Sequence, residues 1–506
     1  MATPSHKLAT SLEVLHALQA KGKVAIRSAD LSRTHRERLI QNGFLQEVIK
    51  GWYVPSRPDE AAGESTAWYA AFWPFVVTYL NHLKGNDWCL SPEKSLSLHA
   101  ENWTVPKQLL VRSIKARNNI TTLPHETSLL EVRSTLPDGK HIVVKAGVRI
   151  YPLATALVAC GPRYFEQDPT DARAALAIIR DASEVLEPLL DGGHSTIAGR
   201  LAGGFRNIGR DRIADDIIST MQRAGYTVRE QNPFEAGSSI VLPTRAESPY
   251  VNRLRIMWYT MRADVMAYFP KAPGLPKNGD AYIKQVEDIY VTDAYHSLSI
   301  EGYKVSPKLI ERVRSGEWNP DQIEADREHR DALAARGYWL AYQSVLESIK
   351  KVLAEDNAGA VFDDNHREWY REMFAPSVVS GLLKPADLAG YRNGPVYIKG
   401  SMHVPLNRES VRDAMPALIE LLKAETEPAV RVVLGHFIFV YIHPYMDGNG
   451  RLGRFLMNLM LASGGYPWTV VSIEIRDKYM AALEEASVSQ NIIPFTELLA
   501  ELVTKS

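Results

Sequence analysis

Two apolar runs near the C-terminus flank the stretch HPYMDGNGRLGR, His443 to Arg454, and this arrangement limits what the chain can build. Phe437-Ile438-Phe439-Val440-Tyr441-Ile442 reads as the end of a buried helix, and Leu452 to Leu461 as the first turns of another. Asp447-Gly448-Asn449-Gly450 between them has turn composition, and its small residues let backbone N–H groups converge on one concavity. Helix, glycine-rich loop and helix N-terminus together form an anion site suited to a polyphosphate. Asp447 is a hard oxygen donor of the kind that Mg²⁺ shares with phosphates. His443 could take a proton from an incoming hydroxyl at neutral pH. The bland alternative is a glycine turn between two core helices beside an unrelated histidine.

This stretch resembles the signature of the Fic (filamentation induced by cAMP) family, H-x-F-x-D/E-G-N-G-R-x-x-R. His443, Asp447, Gly448, Asn449, Gly450, Arg451 and Arg454 match, and Tyr445 stands where the pattern usually has Phe. The family mostly transfers AMP from ATP to a protein hydroxyl. The resemblance implies His443 as general base, Asp447 as Mg²⁺ ligand, Gly448, Asn449 and Gly450 as phosphate cradle, and Arg451 and Arg454 as charge neutralisers. A kinase-like branch has Lys at the position of Gly450, so AMP transfer is favoured over phosphorylation.

A second stretch, SLSIEG, resembles the family's inhibitory motif [S/T]-x-x-x-E-[G/N] through Ser297, Glu301 and Gly302. Ser297 and Glu301 are one helical turn apart and can share a face. The resemblance implies a pairing of Glu301 with Arg454, which would put a carboxylate where the γ-phosphate belongs. The motif precedes the active loop, as in the class with an N-terminal inhibitory helix. The alternative is an exposed Glu at a helix end before a capping glycine. Val396-Tyr397-Ile398 and Met402-His403-Val404-Pro405 about Lys399-Gly400-Ser401 read as a β-hairpin. In the family such a flap lies over the nucleotide and registers the target by strand addition. His403 could touch the target or sit solvated on the hairpin, and Tyr479 would face the adenine.

With 506 residues the chain has room for about three domains. Its apolar share of 45% and charged share of 23% are those of an ordinary globular protein, and a net charge of −1 gives no electrostatic case for nucleic acid across the whole chain. Cys89 and Cys160 form neither a metal pattern nor a disulfide framework, which fits a reducing cytoplasm. No segment approaches the ~20 apolar residues of a membrane span, and the N-terminus has no apolar signal core.

The expected fold is multidomain, α-rich α+β. Residues 1–56 read as a winged helix: a helix from Leu8 to Ala20, a short one after Ile26-Arg27-Ser28, a third from Ser32 to about Asn42, then strands around Lys50-Gly51. The third helix carries Arg33, Arg36 and Arg38, which could contact DNA; protein contact or a solvated basic face is the alternative. Residues 57–230 read as a small α/β plus helical domain. Its expected helices run over 68–83, 153–158, 171–190, 195–201 and 210–224. Its expected strands are Ser95–Leu98, Gln108–Val111, Leu129–Arg133 and His141–Val144, with a turn at Pro137-Asp138-Gly139. Gly203-Gly204 and Gly209 could form a packing hinge or a binding loop, or belong to a spacer. LSRTHRERLIQNGFLQEVIKGWYV resembles the antitoxin side of bacterial abortive-infection systems, the AbiEi family, whose second domain is nucleotidyltransferase-like. Residues 231–280 form a linker and connecting helix, and 281–506 an all-α Fic core with its flap. Helices are expected there over 281–297, 326–353, 365–374, 411–423, 428–442 and 476–487.

The functional expectation is a protein adenylyltransferase that uses Mg²⁺ and ATP on Ser, Thr or Tyr hydroxyls, with self-modification included and restraint by Glu301. The same Glu could align water for AMP removal. The alternatives are a fused toxin and antitoxin that binds DNA as an autoregulator, and a transferase using another nucleotide or a CDP-choline-like donor. A homodimer is compatible with either, and the target protein is not legible.

Overall fold

The computed structural model describes residues 3–58, 64–137, 141–234, 240, 248–318 and 330–506. The chain divides into two compact units, one comprising Met1–Pro249 with Tyr397–Val404, the other Tyr250–Val396 with Pro405–Ser506.

The first unit begins with α1 (Pro4–Ala20), β1 (Ile26–Arg27), α2 (Arg33–Gln41), β2 (Leu45–Ile49) and β3 (Trp52–Pro55). Ser32 caps α2 by accepting from His35 N. Gly51, at φ +82°, turns the chain into β3, and the antiparallel sheet has the order β1-β3-β2. Leu15, Ile26, Leu31, Leu39, Leu45 and Tyr53 bury the sheet against the helices. The second helix expected here is only a 3₁₀ turn, Ser28–Asp30, held by Asp30 accepting from Arg27 N.

The apolar α3 (Thr66–Lys84) follows, then β4 (Cys89–Leu90), α4 (Pro92–His99), β5 (Gln108–Ser113), β6 (Ile120–Thr122) and β7 (Ser128–Arg133). These strands form a sheet of order β4-β5-β7-β6, with β5 and β7 parallel. Ser95–Leu98 lies in α4 and not in a strand. Ser91 accepts from Lys94 N and Pro92 opens the helix, a start signal that outweighs four alternating residues. β8 (Val143–Lys145) pairs with β9 (Val148–Ile150), while Asp138-Gly139 lies outside the described residues. Six helices complete the unit: α5 (Leu153–Ala159), α6 (Tyr164–Gln167), α7 (Pro169–Ile178), α8 (Ser183–Asp191), α9 (Ser195–Asn207) and α10 (Asp211–Arg223). The single helix expected over 171–190 is broken, because Glu184 accepts from the N–H groups of Arg180 and Asp181 and starts α8 afresh. α9 runs through Gly203 and Gly204; a Cβ on Gly203 would collide with the Gln231 carbonyl, so this glycine serves close packing.

The expected β-hairpin at 396–405 contains no strand. Tyr397–Val404 joins the first unit as an extended segment around Gly400 at φ +72°. Its backbone bonds outward: Gly400 N donates to Thr66 Oγ1 (2.9 Å), and the Met402 carbonyl accepts from Val105 N (2.9 Å). Met402 and Val404 pack against the aromatic core of that unit, and Lys399 lies 3.5 Å from Glu64. With those partners taken, cross-strand pairing is lost.

The second unit is helical among its described residues: α11 (Pro249–Tyr268), α12 (Gly279–Ile300), α13 (Pro307–Ser315), α14 (Arg330–Leu353), α15 (Ala358–Val379), α16 (Ser410–Ala424), α17 (Pro428–Ile442), α18 (Asn449–Gly464), α19 (Arg476–Glu484) and α20 (Ile493–Lys505). The expected start of α14 at Asp326 lies outside the described residues. α13, which the hydrophobic pattern did not single out, begins at Pro307 after the cap Ser306. One continuous core joins these helices, and α14, α15, α17 and α18 form its centre. That packing fixes both shoulders of the loop between α17 and α18.

Candidate active site

α17 ends at Ile442, and His443 follows as a left-handed cap at φ 53°, ψ 61°. A non-glycine residue in this region carries strain of about 1–2 kcal/mol, so other contacts must hold it. His443 N donates to Phe439 O (3.0 Å), and the His443 carbonyl accepts from Arg392 Nε (2.7 Å). The imidazole Nδ1 faces the Val440 carbonyl at 3.1 Å. That carbonyl can only accept, so Nδ1 carries the proton and Nε2 keeps its lone pair. Burial, and secondarily the Arg392 cation, pull the imidazole pKa down to about 4 despite the Glu301 and Asp447 carboxylates. The ring is therefore neutral at pH 7.

The loop is closed by Asn449, whose amide accepts from Tyr445 N and donates to Tyr445 O, both at 2.9 Å. Asn449 thus fastens the turn with its side chain, and only its backbone can serve a ligand at the mouth. Tyr445 is buried and stacked on Tyr370 at 4.1 Å. Gly448, at φ +82°, caps α18, and a Cβ there would come within 2.8 Å of the Phe374 ring. Asp447 stands on the rim with 60% of its side chain exposed, its Oδ1 3.2 Å from Arg451 Nη2.

At the start of α18 the first backbone N–H groups have no intrahelical acceptor. The Glu301 carboxylate lies against this end, since a Cβ on Gly450 would collide with its Oε1. α12 delivers Glu301 there through a double-bonded C-terminus. Tyr303 N donates to Leu298 O, Gly302 N donates to Ser299 O, and Gly302 is left-handed at φ +86°. Arg454 Nη2 donates to Glu301 Oε1 (2.8 Å) and to Ser297 O (3.0 Å), and its Nε to Ser297 Oγ (2.9 Å). Burial works against the Arg454 charge, but Glu301 together with Tyr479 and Tyr338 outweighs it and the pKa is raised. Arg451 is buried between the Tyr303 and Phe374 rings, at 5.2 and 5.1 Å. Arg454 Nη1 and Arg451 Nε are buried donors without an acceptor among the described residues. Two orphaned cationic donors beside a helix N-terminus suit phosphate oxygens.

The structure therefore brings His443, Asp447, Gly448, Asn449, Gly450, Arg451, Arg454, Ser297, Glu301 and Gly302 together. Tyr479 is buried, its hydroxyl 2.7 Å from Nε2 of His436, whose Nδ1 faces Gly453 O. In the extended segment Tyr397 is exposed, whereas His403 is buried, which corrects the expectation of a solvated histidine. The three arginines of α2 are mostly engaged. Arg33 pairs with Glu37 (2.7 Å), Arg36 donates to Ser28 O, and Arg38 donates to Lys7 O and Ser11 Oγ. Sequence reasoning missed Arg392, Tyr303 and Phe374, none of which carries a local motif. Among the described residues, no helix is long and apolar enough to cross a membrane.

Residues 364–461 match the Fic/DOC family. That segment covers part of α15, Arg392, the loop from His443 and most of α18, but not Ser297 or Glu301. The chain is 24% identical over 230 residues to protein adenylyltransferase fic-1 of Caenorhabditis elegans, covering 44% of this chain and 42% of the relative. It is 28% identical over 232 residues to protein adenylyltransferase Fic of Culex quinquefasciatus, covering 45% of this chain and 43% of the relative. The chain thus spans less than half the length of these curated relatives. Among solved structures, a fragment of Fic-1 from C. elegans aligns at a TM-score of 0.37 and 20% identity, over 64% of this chain and 89% of that one.

Proposed function

We propose that the second unit transfers AMP from ATP to a Ser, Thr or Tyr hydroxyl of a protein, and that Glu301 restrains it. One observation carries this reading: a neutral imidazole with a free Nε2 stands beside a helix N-terminus whose anion seat is filled by the chain's own carboxylate. The Fic match over His443 and the start of α18 and the adenylyltransferase names of the relatives support the transfer reading.

His443 Nε2 removes the hydroxyl proton as that oxygen attacks the α-phosphorus. The bond from the α-phosphorus to the bridging oxygen breaks and pyrophosphate leaves. The N–H groups at the start of α18, with Arg451 and Arg454, hold the phosphates and stabilise the departing charge. Asp447 is the exposed hard donor at this mouth and would hold Mg²⁺, which when bound neutralises phosphate charge. Among the described residues no three His, Cys, Asp or Glu groups cluster as a metal site, so the other ligands would be phosphate oxygens and water. Glu301 denies a nucleotide its seat by engaging Arg454 and facing Gly450.

The test is intact-mass measurement of wild type and Glu301→Gly incubated with Mg²⁺ and ATP. A gain of one AMP unit, larger in the variant and absent from a Glu301→Gly/His443→Ala double variant that still binds ATP, is expected. No adduct on any form, nor on proteins of a cell extract, would overturn the reading.

A further inference from the structure

Arg392 is one of the most buried cations of the second unit, 2% exposed, and no ion pair neutralises it among the described residues. Burial alone pulls its pKa down to about 10. A buried charge without a counter-ion is costly and gives no net gain in stability. Its donors all go to main-chain carbonyls. Nε donates to His443 O (2.7 Å), Nη1 to Gly394 O (3.1 Å), and Nη2 to Leu406 O and Ile442 O (3.5 Å). Its own N–H donates to Pro444 O (2.9 Å). Gly394 and Leu406 are where the chain departs towards, and returns from, the extended segment that joins the first unit. Ile442 and Pro444 flank His443, the left-handed residue that carries the imidazole.

Resting on His443 as the base, we propose that Arg392 is a positioning residue: its planar fork bolts the two stems of the 395–405 segment to the backbone of His443, so that the aim of the imidazole depends on how those stems are held. The fork suits the task because one rigid plane meets carbonyls on three separate stretches, whereas a lysine offers a single flexible point. Loss of the bolt frees a strained corner, and a misplacement of about 1 Å is worth on the order of 100-fold in rate. The charged groups facing the imidazole are Arg392, Glu301 and Asp447. Removal of the only cation among them lets the imidazole hold its proton more tightly.

The experiment compares Arg392→Met and Arg392→Lys in the Glu301→Gly full chain. It reads the His443 pKa by NMR of labelled histidine without nucleotide, ATP affinity, and transfer rate against pH. We expect Arg392→Met to lower kcat at least ~10-fold with ATP affinity within about 2-fold. The His443 pKa should lie above that of the Glu301→Gly parent, and the acid limb of the rate profile should move up with it. Arg392→Lys should fall between, and it carries the test if the Met variant does not fold. An unmoved His443 titration, or transfer and ATP affinity lost in parallel, would overturn the proposal. If the Glu301→Gly parent transfers no AMP, the functional reading fails, while the NMR titration still decides whether Arg392 controls His443.

Discussion

Glu301 and a phosphate group compete for one set of donors, and the competition has a thermodynamic signature apart from catalysis. Removing one partner of a buried ion pair costs roughly 3–5 kcal/mol. The Glu301 side chain is 25% exposed, so about 1–2 kcal/mol is expected from Glu301→Gly without nucleotide. ATP should then raise the Tm of the variant more than that of wild type, because the vacated donors bind only the native state. Equal shifts in thermal melts would mean that the carboxylate does not occupy the seat. Tyr445 offers a second test. Its ring is stacked and buried, yet its hydroxyl has no partner among the described residues. An unmade buried hydrogen bond costs about 1–3 kcal/mol, so Tyr445→Phe should leave stability unchanged or raise it by up to about 1 kcal/mol. Denaturant unfolding would check it, and a clear loss would reveal a partner for the hydroxyl.

Helices position these residues, and one crossing is unusually tight. α14 meets α15 where Gly337 faces the Met373 carbonyl, and a Cβ at Gly337 would collide with that oxygen. Backbone cannot yield as a flexible side-chain tip can, so Gly337→Ala should cost more than ~2 kcal/mol even though alanine is the better helix former. Because Phe374 adjoins Met373 and flanks Arg451, the variant should also weaken ATP binding. Denaturation with titration calorimetry would show both, and a neutral outcome would mean the helices can part freely. Legibility in the sequence follows the same division between local and distant causes. The helices α17 and α18, the loop between them and the approach of Glu301 to Arg454 were readable, because each rests on periodicity, a turn signal or a short motif. The helix at Ser95–Leu98 was mistaken because four alternating residues were weighed above the Ser91-Pro92 start. The segment at 396–405 was mistaken because the partners of its backbone, Thr66 and Val105, lie about 300 residues away in sequence. Arg392 was passed over for the same reason: its significance lies in carbonyls that only the fold assembles.

At the scale of the molecule, the second unit keeps several titratable groups in forms that water would not favour. His366, His436 and His443 are each held with a pKa of about 4, and burial is the leading cause in all three. Unfolding returns each imidazole to about 6.5, so near pH 5 the unfolded chain takes up close to three more protons at these sites. Stability from this source is fully present above about pH 6.5 and is lost as pH falls towards 4. Asp293 acts in the opposite direction. Buried under Tyr338 and Trp468, its carboxyl is raised to about 6, so unfolding near pH 5 releases a proton there. From these four groups the net uptake is about two protons, which corresponds to a contribution of roughly 2–3 kcal/mol per pH unit around pH 5. Calorimetry between pH 7 and 4.5 should therefore show the transition of the second unit dropping with acidification. His99 in the first unit is also lowered by burial, but it stands without such company there among the described residues. That unit should fall less steeply. Asp293→Asn removes its opposing contribution and should steepen the acid loss in the second unit. A flat profile in wild type would mean that these rings are not held neutral below their ordinary titration range.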